Sequence, residues 1–179
     1  MKITILEEKM KKYKLLKREE NGLCRIQALK DFGDVKKGDI GGYAEKEDNL
    51  SHFGECWVCD NAQVFDNAQV FGTAQVCDNA QVFGNAQVFG DARVCGKARV
   101  FGTAHISDNA QVSGDARVCD NAQVFGNAQV FGDARVCDKA RVFGNAQVFG
   151  DARVCDNAQV FGNAQVFGNA RVCGGDVDY

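Results

Sequence analysis

Hydrophobic and polar positions recur along most of this chain with a period of six. From Ala62 to Gly175 the sequence divides without gaps into nineteen hexads of the form A-[QRH]-[VI]-[FCS]-[GD]-[NDTKG], and an irregular hexad, Cys56–Asn61, precedes them. A six-residue period matches no helical stripe, and a turn-favouring pair in every hexad would break a helix. Strand alternation within A-Q-V-F puts Ala and Val on one face and Gln and Phe on the other. The following pair, Gly-Asn, Asp-Asn or Gly-Asp, tolerates left-handed backbone and turns the chain. Strand and corner therefore alternate, which predicts an all-β, single-stranded parallel β-helix with three flat sides. One coil is eighteen residues, so DNAQVFGNAQVFGDARVC recurs letter for letter at Asp78–Cys95 and Asp120–Cys137. About six to seven coils are expected.

The hexads resemble the left-handed parallel β-helix of the hexapeptide-repeat superfamily. Its pattern is an aliphatic residue with a small residue two places before it, here pairs such as Ala122 and Val124. That resemblance implies a left-handed, triangular coil, against the usual hand of parallel crossovers. A second resemblance covers Asp31–Val64, which is similar to the lead-in segment of a group of uncharacterised bacterial and phage hexapeptide proteins. There an "NLS…G.CW" element opens the helix. Here it reads Asn49-Leu50-Ser51, Gly54, Cys56 and Trp57.

Ahead of that segment, Asn21-Gly22 lies between two strand-like runs, a strong hairpin signal. A charged helix over Glu7–Glu20 is the competing reading. Either element would cap the first coil, as solenoid ends require. The expected division is a cap at residues 1–49, a β-helix at 50–175 and a tail at 176–179. No cap is legible at the far end, so the last coil is expected to offer an open edge.

Inward Ala and Val make a narrow interior that cannot by itself offset the entropy of ordering the coil. Strand ladders, corner Asn stacks and the outer rows must supply the rest. Steps of eighteen residues trace those rows. The first side carries Phe71, Phe89, Ser107, Phe125, Phe143 and Phe161. The second carries Cys59, Cys77, Cys95, Ser113, Phe131, Phe149 and Phe167. The third carries Phe65, Phe83 and Phe101, then Cys119, Cys137, Cys155 and Cys173. Five phenylalanines on the first side exceed the roughly 400 Å² tolerated as an exposed apolar patch, so Phe71, Phe89, Phe125, Phe143 and Phe161 are candidates for self-association.

Charge and composition narrow the chemistry. A net charge of −3 speaks against nucleic acid as a partner, and there is no apolar run of membrane-spanning length. Of nine cysteines, seven follow the repeat and the set makes no compact framework, so reduced thiols in a cytoplasmic protein are expected. A straight cysteine row converges poorly on a metal ion, so neither metal nor cofactor is expected. Arg99, Arg117, Arg135, Arg153 and Arg171 stack on the third side, with Asp115, Asp133, Asp151 and Asp120, Asp138, Asp156 at its corners. Alternating salt bridges are the plain expectation there. A partner surface made of Arg117, Arg135, Arg153, Arg171, Asp133 and Asp151 is the functional one. His105 and Ser107 mark the one disturbed hexad pair. A histidine base would fit the trimeric acyltransferases among the hexapeptide-repeat relatives, but this chain lacks their long donor loop and C-terminal helix. His52 is expected to pack beside the first coil.

The sequence thus predicts a non-enzymatic, self-associating scaffold, a homodimer that presents ladder-lined faces to a host or cellular protein. A phage-encoded inhibitor of a host nucleic-acid-targeting complex is one alternative, and a degenerate acyltransferase another.

Overall fold

A computed structural model describes residues 11–178. They form an all-β parallel solenoid of about eight turns behind an antiparallel hairpin. The count exceeds the six to seven coils of the hexads because residues 40–44 and 176–178 add a rung at either end. Two sides are seven-stranded sheets, and the third has ten strands, the last eight of them parallel. Most rungs are two-residue strands such as Gln123–Val124, each paired in parallel with residues eighteen before and eighteen after it. That register is kept from the first coils to Gln165–Val166.

The inward assignment of Ala and Val holds throughout. From Ala62 to Ala164 every Ala and Val/Ile of the hexads is fully buried in one continuous core. The corners hold too. The [GD] position has positive φ in every hexad, near 54–62° for the aspartates, while the glycines reach 74°. An aspartate there does more than turn the chain. Its carboxylate accepts the backbone N–H one coil on, as Asp66 does from Gly84 at 3.1 Å and Asp78 from Gly96 at 2.8 Å. Asparagines beside them stack as expected: Asn127 donates to Asn145 at 3.0 Å, and Asn145 to Asn163 at 3.2 Å.

The cap is a hairpin, so a helix through residues 11–20 is excluded; residues 7–10 of that alternative lie outside the described part. Strand β1 (Tyr13–Arg18) pairs antiparallel with β2 (Cys24–Ala28) around a turn that brings Gly22 to φ +82°. Strand β3 (Ile40–Ala44) joins the two architectures, antiparallel to β2 on one edge and parallel to Gln63–Val64 on the other. Its Gly41 and Gly42 have a steric reason: a Cβ would lie 2.5 Å from the Val58 carbonyl oxygen at one and 2.6 Å from that of Ala62 at the other.

Residues 49–57 finish the join. Asn49 is fully buried and fully bonded. Its Oδ1 accepts from the amides of Glu45 and Lys46, and its Nδ2 donates to the carbonyls of Asp66 and Ala68 at 3.1 and 2.9 Å. Leu50 bridges to Val70, and Trp57 meets Tyr13 and Phe32 edge-on. His52 stacks on Tyr13 with ring centroids 4.4 Å apart, the packing role expected of it.

At the other end, Asp176–Asp178 extends the first side, pairing with Gln159–Phe161 at a spacing of seventeen rather than eighteen because the last corner is Gly174-Gly175 alone. Of the inward positions in this last coil, Ala170 is exposed and Val172 only half-buried. Asp176 and Asp178 are both exposed.

Candidate interaction surfaces on the outer ladders

Outward positions repeat at the coil spacing, so each side chain meets its own kind above and below. On the first side Phe71 and Phe89 stack with centroids 4.9 Å apart, then Phe125, Phe143 and Phe161 stack at 4.9 and 5.1 Å, with rings parallel to within 7°. Ser107 splits the row into two rings and three. The other two sides carry shorter stacks, Phe65–Phe83–Phe101 and Phe131–Phe149–Phe167. Mutual stacking leaves the first-side rings half-buried, with their edges facing outward. Phe53 and Phe167 are 72 % and 57 % exposed, one near each end of the solenoid.

The arginine column of the third side departs from expectation. Arg117, Arg135, Arg153 and Arg171 are all exposed. Among the described residues none of them forms an ion pair, and the pairs present are Lys11–Glu47, Lys36–Asp31 and His52–Glu47. The expected alternating salt bridges are therefore absent. In a shared groove Arg117 and Arg135 lie with Asp115, Asp133 and Lys97, while Arg153, Asp151 and Arg171 continue the same columns beyond it. Solvation and like-charge spacing explain this. An extended Arg needs a carboxylate in its plane to bond well, whereas these aspartates sit on the bends. Arg99 instead lays its guanidinium over Phe83 and Phe101, 5.2 and 5.6 Å from their centroids, and Arg141 does the same with Phe125 and Phe143.

The cysteine rows also need correction. Cys59–Cys77 and Cys155–Cys173 are disulfides, one near each end of the solenoid. Stacked coils hold the Cα atoms 4.7 Å apart, within bonding reach, so the repeat itself supplies the geometry. Cys24, Cys56, Cys95, Cys119 and Cys137 are free. Burial pushes the Cys119 thiol up to about 12, helped by its hydrogen bond with Asp120 and that residue's charge. Burial and Asp138 push Cys137 up to about 11. Two trios, Cys59-Asp60-Cys77 and Cys155-Asp156-Cys173, have ligand atoms within 4.8 Å of one another, but in each the sulfurs are bonded together.

A cluster at the cap was not foreseen from the sequence. Lys12 is fully buried, donating from Nζ to the carbonyl of Cys56 at 2.7 Å, to its Sγ at 3.1 Å and to the carbonyl of Gly54 at 3.3 Å. It lies 5.0 Å from the Phe32 centroid. Burial lowers its pKa, and burial likewise raises that of Cys56. Nothing local in KMKKYK separates Lys12 from its neighbours, so only the "G.CW" element, which supplies the carbonyls, could have pointed to it. His105 and Ser107 are indeed neighbours on the first side, and the buried Nδ1 of His105 has no hydrogen-bond partner.

Residues 74–90, 110–126 and 158–174 each match the YdcK Beta solenoid repeat, and each match spans nearly one coil. The chain is a β-solenoid repeat protein. No curated protein matches it. Among the described residues of this solenoid no helix is long and apolar enough to cross a membrane.

Proposed function

We propose that this β-solenoid is a non-catalytic scaffold that pairs with a second copy through its first side and offers its third side to a protein partner in the cytoplasm. The supporting observation is the aromatic row of Phe71, Phe89, Phe125, Phe143 and Phe161, whose outward edges lie along one rigid face. Rings held by their neighbours lose little further freedom on association, which favours a preorganised contact. The left-handed sense of the coil rests on the hexapeptide-repeat resemblance.

Light scattering on a sizing column tests the pairing. A mass twice that of the chain is expected, falling to the single-chain value in Phe143→Ser, which removes the middle ring of the three-ring stack. An unchanged mass in that variant would count against pairing through this side.

The unpaired arginine column favours a second reading, in which the solenoid is a phage-encoded inhibitor that engages a host nucleic-acid-targeting complex. Arg117, Arg135, Arg153 and Arg171, together with Asp133 and Asp151, would form the contact. Guanidinium groups without counter-ions are ready for a partner's carboxylates. Arg135→Ala with Arg153→Ala should abolish capture of such a complex while leaving the solution mass unchanged.

A further inference from the structure

Each disulfide of the outer rows has a free thiol on the next rung inward. On the second side Cys95 lies one rung from Cys77 of the Cys59–Cys77 bridge. On the third side the order is Cys119, Cys137, Cys155 and Cys173, one cysteine per coil. Parallel pairing aligns Val118 with Val136, Val136 with Val154, and Cys155 with Cys173, so the outward sulfurs stand in one column. The Cα atoms of Cys155 and Cys173 are 4.7 Å apart, one step of the stack. Cys137 is the same single step from Cys155, its amide donating to the carbonyl of Val154 at 3.0 Å. Cys119 and Cys137, two free thiols on successive rungs, are hydrogen-bonded to one another, so outward cysteines one coil apart do touch. Cys155 is thus flanked by two cysteines, one bonded to it and one free.

Thiol–disulfide exchange is a displacement at sulfur in which the attacking, central and leaving sulfurs come close to a line. A column of equally spaced cysteines sets them out in that order. The thiolate of Cys137 attacks the Sγ of Cys155. A Cys137–Cys155 bond forms, the Cys155–Cys173 bond breaks, and the electron pair leaves on the Cys173 sulfur. That sulfur takes up a proton in place of the one Cys137 gave up. One disulfide and one thiol enter the step and one of each leaves it, so no oxidant or reductant is consumed. Either bond closes an eighteen-residue loop, so the chain-entropy contribution is the same in both registers. What differs is the thiol left over. Cys137 is half-buried, whereas Cys173 is exposed on the last strand of this side.

We infer that the third-side column is a disulfide ladder, an internal exchange device in which the bond shifts from Cys155–Cys173 to Cys137–Cys155 and delivers a reactive thiol at Cys173. The shift moves the covalent tie one coil inward and unfastens the last coil. Its pace is set by the attacking thiolate. Burial pushes the Cys137 thiol up to about 11, helped by Asp138, to which it donates at 3.4 Å. Exchange at neutral pH is therefore slow, on the minutes-to-hours scale of uncatalysed disulfide rearrangement.

Tryptic mapping reads the shift, because cleavage after Arg117, Arg135, Lys139, Arg153 and Arg171 puts each cysteine of the column in its own peptide. The full chain, kept without reductant, is held at pH 8, quenched in acid and labelled with N-ethylmaleimide. Label on Cys173 and a linked Cys137–Cys155 peptide pair are expected to rise together with first-order kinetics, while the total label per chain stays constant. Cys137→Ser should cut the label on Cys173 at least tenfold. Ser113 holds the same outward hexad position, so the coil accepts that residue. If the variant nevertheless does not fold, Cys137→Phe, which continues the row of Phe65, Phe83 and Phe101 on this side, serves instead. Asp138→Asn should speed the shift at least threefold, an effect that loosening of the last coil alone would not produce. Cys173 unlabelled throughout, equal labelling in Cys137→Ser, or a rate that rises with protein concentration would overturn the ladder.

Discussion

A carboxylate at a left-handed corner serves two neighbours. Asp120 holds positive φ, accepts the amide of Asp138 one coil on, and lies beside the thiol of Cys119. Val, Ala and the [GD] pair were legible residue by residue, because each has a steric reason that a six-residue pattern exposes. The carboxylate's reach into the next coil was not legible, since it depends on the pitch of the stack. That reach has a titration consequence. The ordinary thiol value is 9.0, and burial together with Asp120 and Asp138 lifts Cys119 to about 12 and Cys137 to about 11. An unfolded chain would release these protons near pH 9 while the folded one keeps them. Stability should therefore fall as pH rises from about 9 towards 12, and be unaffected by these thiols below that window. Alkylation by iodoacetamide, read by mass spectrometry, should be slow at Cys119 at pH 8. Asp120→Asn should speed it at least threefold, and a rate that does not respond would remove the carboxylate from the explanation.

Two-residue strands have no stability of their own, so each rung depends on the rungs beside it. The first rung has no coil before it, and the segment around Asn49 takes that coil's place. Asn49 satisfies two amides and two carbonyls where the hairpin meets the solenoid. The hairpin was readable from Asn21-Gly22, because turn chemistry is local. Its attachment was not, because the carbonyls that Asn49 and Lys12 reach are more than fifteen residues away. Leaving buried backbone groups unpaired costs about 1–3 kcal/mol each, so Asn49→Ala should destabilise the first coil by about 2–4 kcal/mol. Hydrogen exchange offers the check: the amides of Gln63 and Phe65 should lose protection while those of Gln123 and Phe125 keep theirs. Gln111→Ala, on an exposed ladder position, should change stability by less than about 0.5 kcal/mol. Equal effects from the two substitutions would mean that this segment merely covers the first coil.

A solenoid is weakest at its ends, because a terminal coil has one neighbour instead of two. The hairpin covers one end, and in the last described coil Ala170, Asp176 and Asp178 are exposed and Val172 is only half-buried. Both disulfides lie in these terminal regions, Cys59–Cys77 near the first coil and Cys155–Cys173 joining the last two coils on the third side. The cysteine row was legible as a row. Which pairs close was not, since Cα spacing is the same at every step and the middle thiols remain free. Each bridge closes an eighteen-residue loop, which in the chain-entropy picture limits opening by about 3 kcal/mol. That restraint matters most where the coil has least else to hold it. Cys173→Ser should therefore speed amide exchange across 159–178 by about a hundredfold and leave 99–142 unchanged. Opening of the last coil would bare Val160 and Ala164 and lengthen the unpaired edge, so the same variant should also aggregate sooner on heating. If exchange accelerates uniformly along the chain instead, the coils open as one cooperative block and the end has no separate stability for the disulfide to guard.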